Sequence, residues 1–460
     1  MQCRKKAVKK MWISNADGNS LFKRVVCGLL VLLPFLMPFF KPAASIGIGI
    51  VVTAGLIRLY LDGPHRRFLS GEFRREKWVI WTLILFLGWM ALGVLWSPAS
   101  DAFRRLLSFD ELLLVPFITW VLRDWLVENA RRMFGSLLAG SVIASLVTLY
   151  FYFFPEQVPV GDGYWYILRR EPQMQDFARF GAYSPFLDRL YFAYLLGFSL
   201  LVIWIRHFRG GLQAGYLFSA LIITPGFVVL GGRGALIALA FGLILSTAYG
   251  FFSRTKDWAP GRWQIILLAA LILLPGILFL TGTDSKLTYR FDQLKWELNN
   301  YMHEDVNLNE LEHQTVALRL VSWEYNLKLI SENPVLGTGT GGYRQSMRSA
   351  YESDGIELRA HTNQQFLFFG VEGGIPSMLL FLLLFFLTFF AVMKNRNRVF
   401  RSFAVGWWAY MAVVMAFDSP LNYQMPAFLF LLIWWGVYFA SDFRLSGDRG
   451  NQTMPSRSRS

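Results

Sequence analysis

Charge is scarce in this chain and cysteine scarcer still. Only 17% of the 460 residues are charged, against 54% hydrophobic and 17% aromatic, a balance too apolar for an ordinary soluble protein. The two cysteines, Cys3 and Cys27, sit in the N-terminal tail and the first apolar run, so neither a disulfide framework nor a cysteine metal site is expected. Acids are outnumbered, 31 to 45, and the net charge is +14. In a soluble chain that excess would point to nucleic acid. Here the basic residues lie in short loops between apolar runs, where the positive-inside rule accounts for them, and no nucleic-acid partner is expected. A small-residue cleavage pattern is also missing after the basic start (Arg4, Lys5, Lys6, Lys9, Lys10, Lys23, Arg24), which reads as a retained first span and not a removed signal peptide.

What is present is a series of long apolar segments. A span needs about 20 apolar residues. By that measure the sequence predicts an all-α polytopic membrane protein of about twelve transmembrane helices, at 25–40, 45–61, 78–96, 109–126, 133–154, 189–206, 212–231, 234–252, 263–282, 366–392, 402–417 and 423–440. Alternate loops are basic: 62–77, 127–132, 207–211, 253–262 and 393–401 carry arginine or lysine, as do both tails. These ends are therefore expected in the cytoplasm, with 1–24 and 441–460 as basic tails. Arg104-Arg105 is the dissenting pair on the outer side. The parity puts 155–188, the turn at 231–234 and the long segment 283–364 outside the membrane. ATP and nucleotide sugars are cytoplasmic, so chemistry there requires a substrate already activated and flipped.

Polar residues are densest between Leu318 and Ser377. Val316, Leu320, Trp323, Leu327 and Ile330 recur at three- and four-residue steps, predicting a helix with one apolar face and a polar stripe of Arg319, Ser322 and Asn326 beside it. Asn333-Pro334 ends that helix. Gly337, Gly339, Gly341 and Gly342 follow, interleaved with Thr338 and Thr340, as a loop that either presents backbone N–H groups to an anion or is a tight connection.

The Arg-then-Trp helix, the run Asn-Pro-Val-Leu-Gly-Thr-Gly-Thr-Gly-Gly-Tyr from Asn333 to Tyr343, and the His361–Asn363 cluster ahead of a span carrying Glu372-Gly373-Gly374 together resemble the O-antigen ligase/polymerase superfamily. The resemblance covers roughly Leu230 to Met393. It implies a glycan moved from an undecaprenyl diphosphate-linked donor to an acceptor, lipid A–core for a ligase, on the periplasmic side of a bacterial inner membrane. Membrane lipids would be the remaining partners and no cofactor is implied.

Arg233, flanked by glycines between two spans, and Arg319 match the two arginine positions of that family. Paired guanidinium donors suit a diphosphate leaving group better than lysine does. Snorkelling to the headgroups or an ordinary ion pair would be the plainer readings. His361 is the candidate base, since imidazole titrates near neutral pH. Relatives often read His-x-His-Asn with Glu nine residues after the second His, and counting back nine from Glu372 reaches Asn363. Either His361 serves through a two-residue shift, or the position is Asn363, with Gln364 where the family has Asn. Asn363, Gln364, Arg189, Gly339, Gly341 and Tyr343 are the candidate substrate contacts, and Trp323 and Glu372 candidate structural residues. Glu372, an acid inside a span, would either orient His361 or hold helices together. His303 and His313 lie beside acids with no zinc spacing, and no Asp-x-Asp pair occurs, so a metal-independent reaction is expected.

Two other readings remain. A polymerase of the same superfamily can carry Arg-x10-Gly patterns, and Arg170 with Gly181, Arg344 with Gly355 and Arg359 with Gly370 fit; the single dominant outer loop favours a ligase. A lipid-glycan transporter would tend to show internal repeats and interrupted midplane helices, and no convincing repeat is present.

Overall fold

The computed structural model describes residues 21–39, 42–61, 77–107, 109–154, 189–210, 214–230, 232–253, 299, 315–356, 364–395, 397–422 and 424–450. These residues are helical, with no strand among them. In chain order they form α1 (21–36), α2 (Pro42–Leu61), α3 (Lys77–Gly93), α4 (Ala102–Leu107), α5 (Asp110–Val121), α6 (Arg123–Phe153) and α7 (Arg189–Gly210). Then come α8 (Ala214–Leu230), α9 (Arg233–Phe252), α10 (Thr315–Glu332), α11 (Tyr343–Ser353), α12 (Gln365–Met393), α13 (Arg398–Phe417) and α14 (Gln424–Gly450).

Among the described residues, five helices are long and apolar enough to cross a membrane: Lys77–Trp96, Arg123–Phe153, Gly234–Phe252, Gln365–Met393 and Arg398–Phe417. They stand at the third, fifth, eighth, tenth and eleventh expected spans. Shorter apolar helices, Ser45–Tyr60, Leu190–Arg206, Ala214–Leu230 and Pro426–Phe439, stand at the second, sixth, seventh and twelfth. The ninth expected span, the loop 155–188 and His303 and His313 lie outside the described residues. On α12, Leu379, Leu383, Phe386 and Phe390 are 55%, 47%, 49% and 60% exposed, one apolar stripe turned outward along the helix. Water would oppose such a surface and lipid favours it.

Two expectations are corrected. The basic loop at 127–132 is not a loop, because α6 runs unbroken through Arg131 and Arg132. The chain breaks earlier, at Leu122, where Arg58 donates to the Val121 carbonyl at 2.8 Å and to Asp124 at 2.5 Å and lies 4.4 Å from the Trp125 ring. A buried arginine thus satisfies the carbonyl that the break exposes. The expected face of α10 is also rotated: Leu327 is 56% exposed, whereas Ser322 and Asn326 are 1% and 0% exposed. α10 packs its polar stripe inward against α11 and α12, because α11 offers Tyr343 as a hydrogen-bonding partner for Ser322.

α9 and α13 cross closely. Gly242 and Ser246 face Gly406 and Ser402, one turn apart on each helix. A Cβ on Gly242 would lie 2.9 Å from the Gly406 carbonyl oxygen, and the Ser246 and Ser402 hydroxyls are 3.0 Å apart. Small residues at this spacing let backbones approach where no hydrophobic force drives helices together. The crossing fixes the start of α9 beside the end of α13.

Candidate functional site

The glycine-rich turn docks into a break in α12. Helical geometry fails at Gly373 (φ −127°) and Gly374 (φ +69°), just before Pro376. Proline has no N–H to return to the Glu372 carbonyl, and the Ile375 N–H is drawn away to the Pro334 carbonyl at 2.8 Å. Two helix carbonyls are left open. The Thr338 N–H takes Val371 at 2.7 Å and the Gly339 N–H takes Glu372 at 2.9 Å. The Trp89 indole of α3 donates to Gly373 at 2.7 Å. Only glycine fits at the join: a Cβ on Gly374 would sit 2.3 Å from the Val335 oxygen, and one on Gly337 (φ +63°) 2.5 Å from the Gly374 nitrogen. On its other side the turn is tied to the end of α3, through Thr340 N–H to Gly93 at 3.2 Å and the Trp96 indole to Leu336 at 3.1 Å.

The anion that this loop faces is the chain's own. The Glu372 carboxylate, 1% exposed, accepts the backbone N–H groups of Gly341 and Tyr343. Arg105 of α4 supplies the facing positive charge. Its guanidinium lies 5.4 Å and 5.7 Å from the Phe109 and Phe368 rings, and a Cβ on Gly341 would meet its Cβ at 3.1 Å. The outer arginine pair that dissents from the charge pattern thus contains a partner for a buried acid. The N–H groups of Gly339 and Gly341, expected at substrate, are both directed inward. Tyr343 is 1% exposed, its hydroxyl held by Ser322 and pushed above its ordinary pKa chiefly by burial. Gln364 caps α12, its side chain accepting the Leu367 N–H.

Both arginine-bearing elements relate to Tyr194, at a different point. α9 begins at Arg233, immediately after the extended Gly232. A Cβ on Gly234 would stand 3.4 Å from the Phe417 Cβ and 3.7 Å from the Tyr194 hydroxyl. That hydroxyl donates to Asp418 at 3.3 Å. Arg319 acts electrostatically on the same tyrosine, and Trp323, one turn further along α10, lies 6.4 Å from the Phe417 ring. Tyr194 and Asp418, 2% and 7% exposed, therefore form a buried polar pair beside the first residues of α9. The start of α12 reaches this place too: Gln365, fully buried, accepts the Leu421 N–H at 2.9 Å. Arg189 opens α7, the helix that carries Tyr194. His361 and Asn363 lie outside the described residues, which resume at Gln364.

Tyr194 and Asp418 escaped the sequence reading. Asp418 is an acid between two closely spaced spans, and that isolation was the available signal. Tyr194 left none, being one aromatic residue among many in an apolar helix. Two glycines of the Arg-x10-Gly pattern, Gly355 and Gly370, have local reasons of their own, and Gly181 lies outside the described residues. Gly355 adopts φ +70° just past α11, where its Glu352-bonded N–H and the Ile356-to-Tyr351 bond at 2.9 Å close the helix end. A Cβ on Gly370 would collide with Ile330 at 2.7 Å.

Residues 217–382 match a family model described as O-antigen ligase. The match spans the start of α9, the whole of α10, the glycine-rich turn and the broken part of α12. No curated protein matches the chain.

Proposed function

We propose that this chain, which carries the O-antigen ligase family domain in residues 217–382, transfers a glycan from undecaprenyl diphosphate to lipid A–core at the periplasmic face of a bacterial inner membrane. The observation that carries the reading is that the start of α9 lies beside Tyr194, which donates to Asp418 and on which Arg319 also acts electrostatically, both arginine positions falling inside the matched residues 217–382.

In this reading the acceptor hydroxyl attacks the anomeric carbon as the bond to the diphosphate breaks. Charge grows on the leaving diphosphate, and Arg233 with Arg319 supply fixed paired donors that need no reorganisation as it does. Asp418, which accepts from Tyr194, holds that tyrosine beside the start of α9. His361 takes the hydroxyl proton. It precedes Gln364, the residue that caps the start of α12, by three positions in the sequence. Gln365 ties that start to Leu421, three residues past Asp418. The docked glycine turn does not touch the donor; it holds α10 against α12, and so fixes Arg319 relative to the base.

Deleting the protein tests the reaction. Lipopolysaccharide from the deletion strain is expected to lose all polymer-bearing lipid A–core while lipid-linked polymer accumulates. A single repeat still attached to the core would overturn the ligase reading in favour of a polymerase, and loss of attachment with the lipid-linked glycan trapped on the cytoplasmic side would favour a transporter.

A further inference from the structure

A cavity of about 660 Å³ opens between α1, α6, α7, α13 and α14, and none of Arg319, Tyr194, Asp418 or Glu372 lines it. It lies at the opposite end of α13 from Asp418, beside the Asn395–Asn397 connection. Its volume falls in the range of ligand pockets. The walls are apolar, with Phe134, Phe198, Phe403 and Leu432 among them, and no Asp or Glu contributes among the described residues. Two arginines line it, Arg131 from α6 and Arg206 from α7. Arg131 is exposed and Arg206 half-buried, the latter with its guanidinium 5.8 Å from the Tyr216 ring. Neither forms an ion pair with an acid among the described residues.

We infer that this cavity seats one anionic phospholipid of the adjoining leaflet, its phosphate between Arg131 and Arg206 and an acyl chain along the aromatic wall. Two forks of N–H donors match a phosphate oxygen set, the missing acids leave nothing to repel it, and a polar tip over an apolar slot is the shape of a lipid. On the expected topology the leaflet is the cytoplasmic one, where basic pockets between helices take anionic headgroups.

The test uses the full-length protein in neutral detergent, titrated with dioleoylphosphatidylglycerol or dioleoylphosphatidylcholine and read by native mass spectrometry. The unaltered protein should retain phosphatidylglycerol with at least roughly tenfold preference, the size expected from two phosphate-facing arginines. The variant Arg131→Gln/Arg206→Gln should lose that preference while still taking phosphatidylcholine. Gly436 lines the cavity and a Cβ there meets nothing within 4 Å, so Gly436→Leu should weaken both lipids by occupying the slot. Soluble glycerol phosphate should not bind. Equal retention of the two lipids by the unaltered protein would overturn the inference without reference to any variant. So would a preference that survives loss of both arginines, lipid binding indifferent to Gly436→Leu, or glycerol phosphate binding as well as the lipid.

Discussion

Both proposed clamp positions carry arginine, and its difference from lysine is testable. Lysine keeps the charge and loses the planar pair of donors. Arg319→Ala and Arg233→Ala are expected to abolish transfer while the protein still inserts, and Arg319→Lys to recover little. Full activity of the lysine variants in an assay of lipid-linked polymer transfer would reduce both residues to simple charge. The base is the second test at this scale. His361→Ala should lower turnover by about 10²–10⁴-fold with donor binding little changed. Asn363→Ala should cost less, because an amide has no basic lone pair near neutral pH. A dead Asn363→Ala beside a near-normal His361→Ala would reverse the assignment. Individual residues were legible where their chemistry is rare in a membrane, as with Glu372, an acid inside a span that proves buried in the bundle. They were not legible where a role comes from packing: Tyr343 looked like a loop contact, and only the inward stripe of α10 accounts for its burial.

At the scale of elements, the long spans were readable because about twenty apolar residues in a row have few other uses. The breaks between them were harder. Arg131 and Arg132 read as a cytoplasmic loop, yet they lie within the first third of α6, since a helix needs only its own backbone bonds and charges on its outer face cost it little. What ends α5 is a residue remote in sequence, Arg58, at the Val121 carbonyl. The docking of the glycine turn into α12 was half legible. The turn and its N–H groups were predicted, while their partner was hidden, because nothing in a run of glycines names the acid that will fill it. The join makes its own prediction. Gly374→Ala combines a left-handed φ, costing about 1–2 kcal/mol in a residue with a Cβ, with a contact no backbone shift relieves locally. Detergent-solubilised Gly374→Ala should unfold at lower temperature and lose activity together, while Gly355→Ala, where a Cβ meets open space, should pay only the φ cost. Arg105 and Glu372 should couple: removing the arginine leaves an acid that its two backbone donors alone must hold. In a double-mutant cycle on thermal stability, Arg105→Ala should cost less in a Glu372→Gln background than in the unaltered protein. Additive costs would show that Arg105 acts only by packing on Phe109 and Phe368.

For the whole molecule, the question is which face of the membrane the site occupies. The ends gathered around Tyr194, Asp418 and the glycine turn come from the close of α3, α4, the start of α7, the start of α9, α10, α11, the start of α12 and the close of α13. Each of these is an end that the charge pattern assigns to the outside. Arg104-Arg105 was the objection to that pattern, and Arg105 has a local reason to be there, opposite Glu372. A basic residue held by a buried acid is not a free topological signal, so the remaining basic ends carry the orientation alone. The rotated face of α10 agrees with this reading, since a helix that turns Leu327 outward and Asn326 inward is covering the end of the bundle. The prediction is therefore sharp. A phosphatase reporter active only outside the membrane should signal when fused within 290–310, just before α10, and stay silent at 395–400, beside Asn395 and the α13 start. Cysteine labelling with a membrane-impermeant maleimide should agree, modifying an Asp354→Cys variant from outside in intact spheroplasts, because that position past α11 is exposed. The opposite result at both places would put the arginine site in the cytoplasm. A flipped, lipid-linked donor could not reach it there, and the proposed reaction would fall with the topology.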